Sequence, residues 1–179
     1  MALSANGISM NEDAMGSAAR NEFDATVQAT KFQLHPKVID ALRADLTQRD
    51  FEVTVTPIKQ DYYGNYSSQD LATVQAVALL GIEFVSVGYQ QDFFASGYGP
   101  VAVITVRLIL PKTGQKIFQQ FYWYGLTDNG GRSMKPLIAD SKFTFTSYDA
   151  LLNDTGRATG GISALAPLLA KAVAAEIAQ

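Results

Sequence analysis

Alternation with a period of two opens the readable pattern at Asp24, where Ala25, Val27 and Ala29 alternate with Thr26, Gln28 and Thr30 and predict a first half-buried strand. Pro36 suits a first helical turn. Behind it, Val38, Ile39, Leu42 and Leu46 recur at helical spacing with Lys37, Asp40, Arg43 and Asp45 off the stripe. Phe51, Val53 and Val55 then alternate with polar neighbours until Pro57 stops the pattern, giving a second strand. Ser67 or Ser68 is placed to cap a second helix through Leu71, Val74, Val77, Ala78 and Leu80, closed by Gly81. Two β-rich runs follow, 82–94 and 100–110, and the turn Pro111-Lys112-Thr113-Gly114-Gln115 returns a third, Lys116 to Tyr124, as its antiparallel neighbour. The stretch 127–161 is broken by glycine pairs and reads as irregular surface with one short helix near Tyr148 to Leu152. Leu165, Leu168, Leu169, Ala172, Val173 and Ile177 end the chain as an apolar helical stripe, with Pro167 in its first turn.

The pattern predicts an α+β fold: a single mixed sheet of about five strands with an antiparallel meander, packed by two or three helices. Residues 1–22, rich in Ala, Ser, Asn and Gly, read as a flexible leader, and 23–179 as one domain. A length of 179 residues fits that count.

Composition removes whole classes of chemistry. With no cysteine, thiolate catalysis, disulfides and cysteine-held metals are excluded, and a single histidine, His35, leaves no multi-histidine site. A net charge of −3 argues against nucleic-acid binding. No run of 18 or more apolar residues occurs, so no membrane-spanning helix is expected. The glycine runs at 129–133 and 155–161 lack the lysine ending of a phosphate loop and read as mobile loops. A Gly-x-Ser-x-Gly elbow is absent. No catalytic residue, metal or cofactor is expected.

From Leu71 to Tyr124 the order is an alanine-rich helix, a glycine, the strand 82–88, a hairpin, the strand 103–110 and the turn Lys112-Thr113-Gly114-Gln115. This order resembles the periplasmic domain of the curli-secretion lipoprotein group and of the amino-terminal domain of the Tol system's propeller protein. The segment Val38 to Val55 is similar to the first helix and second strand of those families, with Asp50 at their glycine position. The resemblance implies a periplasmic domain of an outer-membrane lipoprotein. It also implies a non-catalytic part in assembly, transport or secretion, through an envelope protein partner or self-association. A membrane link is expected only through a lipid anchor outside this sequence.

The candidate contact residues are aromatic: Tyr62, Tyr63 and Tyr66 in one loop, Phe93, Phe94 and Tyr98 around the hairpin, and Tyr122 and Tyr124 on the third strand of the meander. Tyrosine buries large area at little rotamer cost and keeps a polar handle, which favours it at interfaces. Alternation puts Phe121 and Trp123 on the opposite face from Tyr122 and Tyr124. Two other readings use the same residues. One is a small-ligand pocket beneath the aromatic loops with 127–161 as a lid. The other is a hydrolase built on Asp61, Asp92 or His35.

Overall fold

A computed structural model describes residues 1–6, 23, 25, 27–59, 61, 65–92, 97–127 and 133–178. Six strands form one mixed sheet in the order β2-β1-β3-β4-β5-β6, where β1 is Ala2–Asn6, β2 Thr54–Val55, β3 Leu79–Asp92, β4 Gly97–Leu110, β5 Gln115–Gly125 and β6 Lys135–Ile138. The helices are α1 (Leu34–Thr47), α2 (Ser68–Leu71), α3 (Tyr148–Asn153), α4 (Thr155–Ser163) and α5 (Leu165–Ile177). The α+β class and the antiparallel meander β3-β4-β5 agree with the sequence pattern.

The meander forms because each of its long runs carries an unbroken apolar face. Ile82, Phe84, Val87 and Tyr89 of β3, Ala102, Ile104, Val106 and Leu108 of β4, and Tyr122 and Tyr124 of β5 join one cluster with the helices. On α1 the buried stripe is Leu34, Val38, Leu42 and Leu46. On α5 it is Leu165, Ala166, Leu169, Ala170, Val173 and Ala174, whose small residues let the two helices approach closely over the sheet. Fully burying one such large side chain contributes about 1.5–3 kcal/mol, so this layer carries most of the fold's stability.

Several expectations are corrected. The strand expected at 24–30 is not one: Ala25 and Val27–Ala29 are helical and end in a turn in which Thr30 and Lys31 donate to the carbonyls of Val27 and Gln28. The leader reading fails for Ala2–Asn6, which run parallel between β2 and β3, while residues 7–22 lie outside the described residues. The second helix stops after Leu71, because Leu79 already pairs with Ile109 in β4 and buries beside Ile58, Leu71, Val74 and Ile109. Val77, placed on the helical stripe by its spacing, is 85% exposed. Gly81 is consequently a strand residue opposite Arg107 and not a helix cap.

The 127–161 stretch is more regular than its glycines suggest, holding β6, a 3₁₀ turn at Ser141–Phe143, α3 and α4. Ser147 Oγ caps α3 by accepting from the Ala150 N–H, and Asp154 Oδ1 caps α4 by accepting from Arg157 N–H. Gly160 and Gly161 sit inside α4, because a Cβ on Gly161 would overlap the Tyr89 hydroxyl. Residues Thr155–Ile177 are together long and apolar enough to cross a membrane, contrary to the expectation of no such segment, and their apolar stripe from Ala158 to Ala174 is buried in the core.

Candidate functional site

The register separates the side chains of the meander into two faces. Cross-strand partners share a face, so the pairs Glu83–Thr105, Ser86–Val103, Gly88–Val101, Thr105–Phe121 and Val103–Trp123 lie opposite the helices. β6 extends this face with Pro136, paired to Trp123, and Ile138, paired to Gly125. Among the described helices only the short α2 packs on it, through Leu71. Its far end is closed, where the segment 58–76 packs on Leu79 and Ile109, and Thr105, between Glu83 and Phe121, is 1% exposed.

Around Trp123 this open face exposes apolar side chains. Phe121 is 37% and Ile138 53% exposed, with half-buried Val101, Val103 and Trp123 between them. Trp123 is fixed in place: its indole Nε1–H donates to the Thr127 carbonyl at 3.2 Å, and its ring lies over Gly125, where a Cβ would come within 2.8 Å of Nε1. Glu83 and Arg107 form a 2.8 Å ion pair on the same face, with side chains 24% and 14% exposed. The pair leaves the face without net charge at that point.

Tyr122 and Tyr124 lie on the other side, 0% and 1% exposed, and are core residues instead of contact residues. Tyr124 Oη donates to the Gly161 carbonyl at 2.5 Å and Tyr89 Oη to the Ala158 carbonyl at 3.1 Å, which ties α4 to the sheet. Burial, reinforced by Asp140, pushes the Tyr124 hydroxyl up to about 12. Burial raises Tyr89 and Tyr122 further, with Tyr124 adding to the first and Glu176 to the second. The Glu176 carboxylate, which raises Tyr122, is also held by Lys135 at 2.6 Å.

The other candidates are dispersed. Tyr98 is half-buried on the helix side, exchanges backbone hydrogen bonds with Phe145 and meets the Tyr148 ring at 5.9 Å. Tyr66 packs on the small cluster at the far end of the open face. Tyr62, Tyr63, Phe93 and Phe94 lie outside the described residues. Within the stretch 127–161 read as a lid, Leu137, Phe145, Leu151 and Ala158 belong to the core, while residues 128–132 lie outside the described residues.

The groups proposed for hydrolysis have structural work. His35 stacks edge-on against Phe84 at 4.9 Å, and Asp61 accepts from Asn65 through both carboxylate oxygens, an Asx-type turn. The Asp92 side chain is outside the described set. The residues passed over in favour of Tyr122 and Tyr124 are Phe121 and Trp123. Their signal was the alternation on β4, whose aliphatic Ala102, Ile104, Val106 and Leu108 mark the core side.

No protein-family model matches the sequence, and no relative is found among curated proteins. Solved structures give distant likenesses. The hypothetical protein CT253 from Chlamydia trachomatis has TM-score 0.42 and 9% identity over 99% of this chain and 95% of that one. A PelC dodecamer from Paraburkholderia phytofirmans has TM-score 0.39 and 14% identity over 93% and 87%. Lipoprotein GNA1162 from Neisseria meningitidis has TM-score 0.33 and 11% identity over 74% and 87%. At these scores the overlap is partial and says nothing of what this chain does.

Proposed function

We propose that this chain is a non-enzymatic domain of a cell envelope, periplasmic and tied to the outer membrane by a lipid anchor, that acts in assembly, transport or secretion by docking a protein on its open sheet face. The observation that carries the docking is the contrast between the two faces. One is filled by α1, α4 and α5, while the other leaves Phe121 and Ile138 exposed around Val101, Val103 and Trp123. Exposed apolar groups gathered on one rigid surface are the ordinary mark of a protein-binding site. The envelope setting is supported by the resemblance of the strands 82–88 and 103–110 and the Lys112-Thr113-Gly114 turn, which do form the hairpin that the resemblance implies.

The test places a photo-crosslinking residue at Val103 on the open face, or at Lys37 on the exposed side of α1, in cells of the encoding organism. A discrete adduct to one envelope protein at position 103, absent at 37, is expected. Equal labelling at both positions, or none at 103, would overturn the docking face.

A further inference from the structure

Trp123 is the one tryptophan of the chain, and the strands give it an uncharged surround. Across the strands it faces Val103 and Pro136, along β5 Phe121 and Gly125, and on the diagonals Val101, Thr105 and Ile138. The one hydroxyl among these neighbours is that of Thr105, a residue 1% exposed. The indole's own donor is already taken inside the chain, by the Thr127 carbonyl at 3.2 Å. Its Nε1, Cε2 and Cζ2 atoms lie 2.8, 3.2 and 3.4 Å from where a Cβ on Gly125 would stand. Alanine in that place demands a shift, and the atoms in its way belong to the indole. The backbone of Gly125 is pinned, paired with Ile138 in β6 and accepting from the Ala139 N–H at 2.8 Å, so the ring yields before the strand does.

We infer that the partner of the open face meets Trp123 as an apolar plate, through an uncharged side chain laid on the ring, and that Gly125 is the positioning residue that sets this plate. The inference rests on the docking reading of the face and adds the chemistry of the contact to it. Two properties of the patch select an apolar partner. Its nearest side chains offer no charge to complement, and the indole N–H, the only polar group of a tryptophan side chain, already has its acceptor. What remains for a partner is carbon: the ring itself, Phe121 beside it, and Val103 and Pro136 on either hand. A packed tryptophan amid smaller apolar neighbours is the usual centre of binding energy in an interface. Gly125 acts through Trp123 and touches no partner: its missing side chain is what lets the ring lie down on the strand and keep its bond to Thr127.

The test uses the full chain in cells of the encoding organism with the crosslinker at Val103, together with the single indole N–H resonance of the purified protein. Trp123→Phe keeps a ring without the donor and should lower the adduct about threefold, whereas Trp123→Ala should lower it about thirtyfold. Gly125→Ala should lower it about tenfold with a urea midpoint close to that of the unaltered chain. Its indole N–H resonance should shift and exchange with solvent faster, a change that a purely structural glycine would not produce. Equal losses for Trp123→Phe and Trp123→Ala would mean that the partner takes the N–H, and an adduct indifferent to Trp123→Ala would remove the ring from the contact. Either result overturns the apolar plate. A Gly125→Ala chain that keeps its adduct, keeps its indole resonance or fails to fold overturns the positioning role, while the two Trp123 variants still read the contact. No adduct at Val103 in the unaltered chain is a different failure, that of the docking reading itself.

Discussion

Phe121 and Tyr122 are adjacent aromatic residues on β5, and the sheet gives them opposite fates. Tyr122 is sealed beneath α5 beside Glu176, while Phe121 stands on the face turned away from α1, α4 and α5. The same division runs through the meander: Phe84, Ile104 and Tyr124 on one side, Glu83, Val103 and Trp123 on the other. The comparison teaches that an aromatic excess in a sheet protein is two populations. Only the strand register tells which one is available for recognition.

The sharpest way to break this division is to remove a side chain from each face. Phe84→Ala empties a site at 0% exposure and should cost about 3–5 kcal/mol in urea unfolding. A cost under about 1 kcal/mol would mean that the helix layer does not seal that side.

Alkaline titration asks the same question of the tyrosines. Tyr124 has a folded-state pKa near 12 against an ordinary 10, so the folded state holds its proton more tightly than the unfolded chain does. The resulting stability is complete below pH 10 and is lost as pH rises towards 12, amounting to roughly 2–3 kcal/mol in full. Absorbance of tyrosinate should therefore rise in two steps, with Tyr89, Tyr122 and Tyr124 ionising last and together with unfolding.

Gly161→Ala sharpens the account of how α4 lies on the sheet. In a free helix alanine would gain about 1 kcal/mol over glycine. Here the new Cβ meets the Tyr89 hydroxyl, itself held by Ala158, and the change should cost about 1–3 kcal/mol. A rise in melting temperature would contradict the close approach. On the open face, Arg107→Ala leaves Glu83 half-buried without its 2.8 Å partner and should cost about 1–2 kcal/mol, less at high salt.

Much of this fold is legible in the sequence because periodicity and burial agree. The α1 stripe at Val38, Leu42 and Leu46, the β4 alternation and the turn ending at Gly114, whose φ is +69°, follow from local pattern. Asp50 shows how a helix end can lack its usual signal: with φ +64° it takes the left-handed conformation that glycine most often supplies, and Phe51 N–H closes the helix end on the Leu46 carbonyl. What was not legible depends on distant partners. Ala2–Asn6 is a strand because β2 and β3 flank it, and Ala72 to Ala78 leaves the helix because Leu79 is claimed by Ile109. Gly160 and Gly161 look like loop residues until Tyr89 and Phe143 are seen against them. Of the candidate site, alternation on β5 separated Phe121 from Tyr122, and only the aliphatic run Ala102, Ile104, Val106 and Leu108 on β4 tells which side the helices take.

The most direct measurement is a paired one on Phe121→Ala: its urea midpoint, and the adduct formed from a crosslinker at Val103 in the same background. Exposed and away from the helix layer, Phe121 should give up less than about 0.5–1 kcal/mol of stability while the adduct is lost. A loss above about 2 kcal/mol with the adduct intact would place Phe121 in the core and remove the open face as the site of recognition.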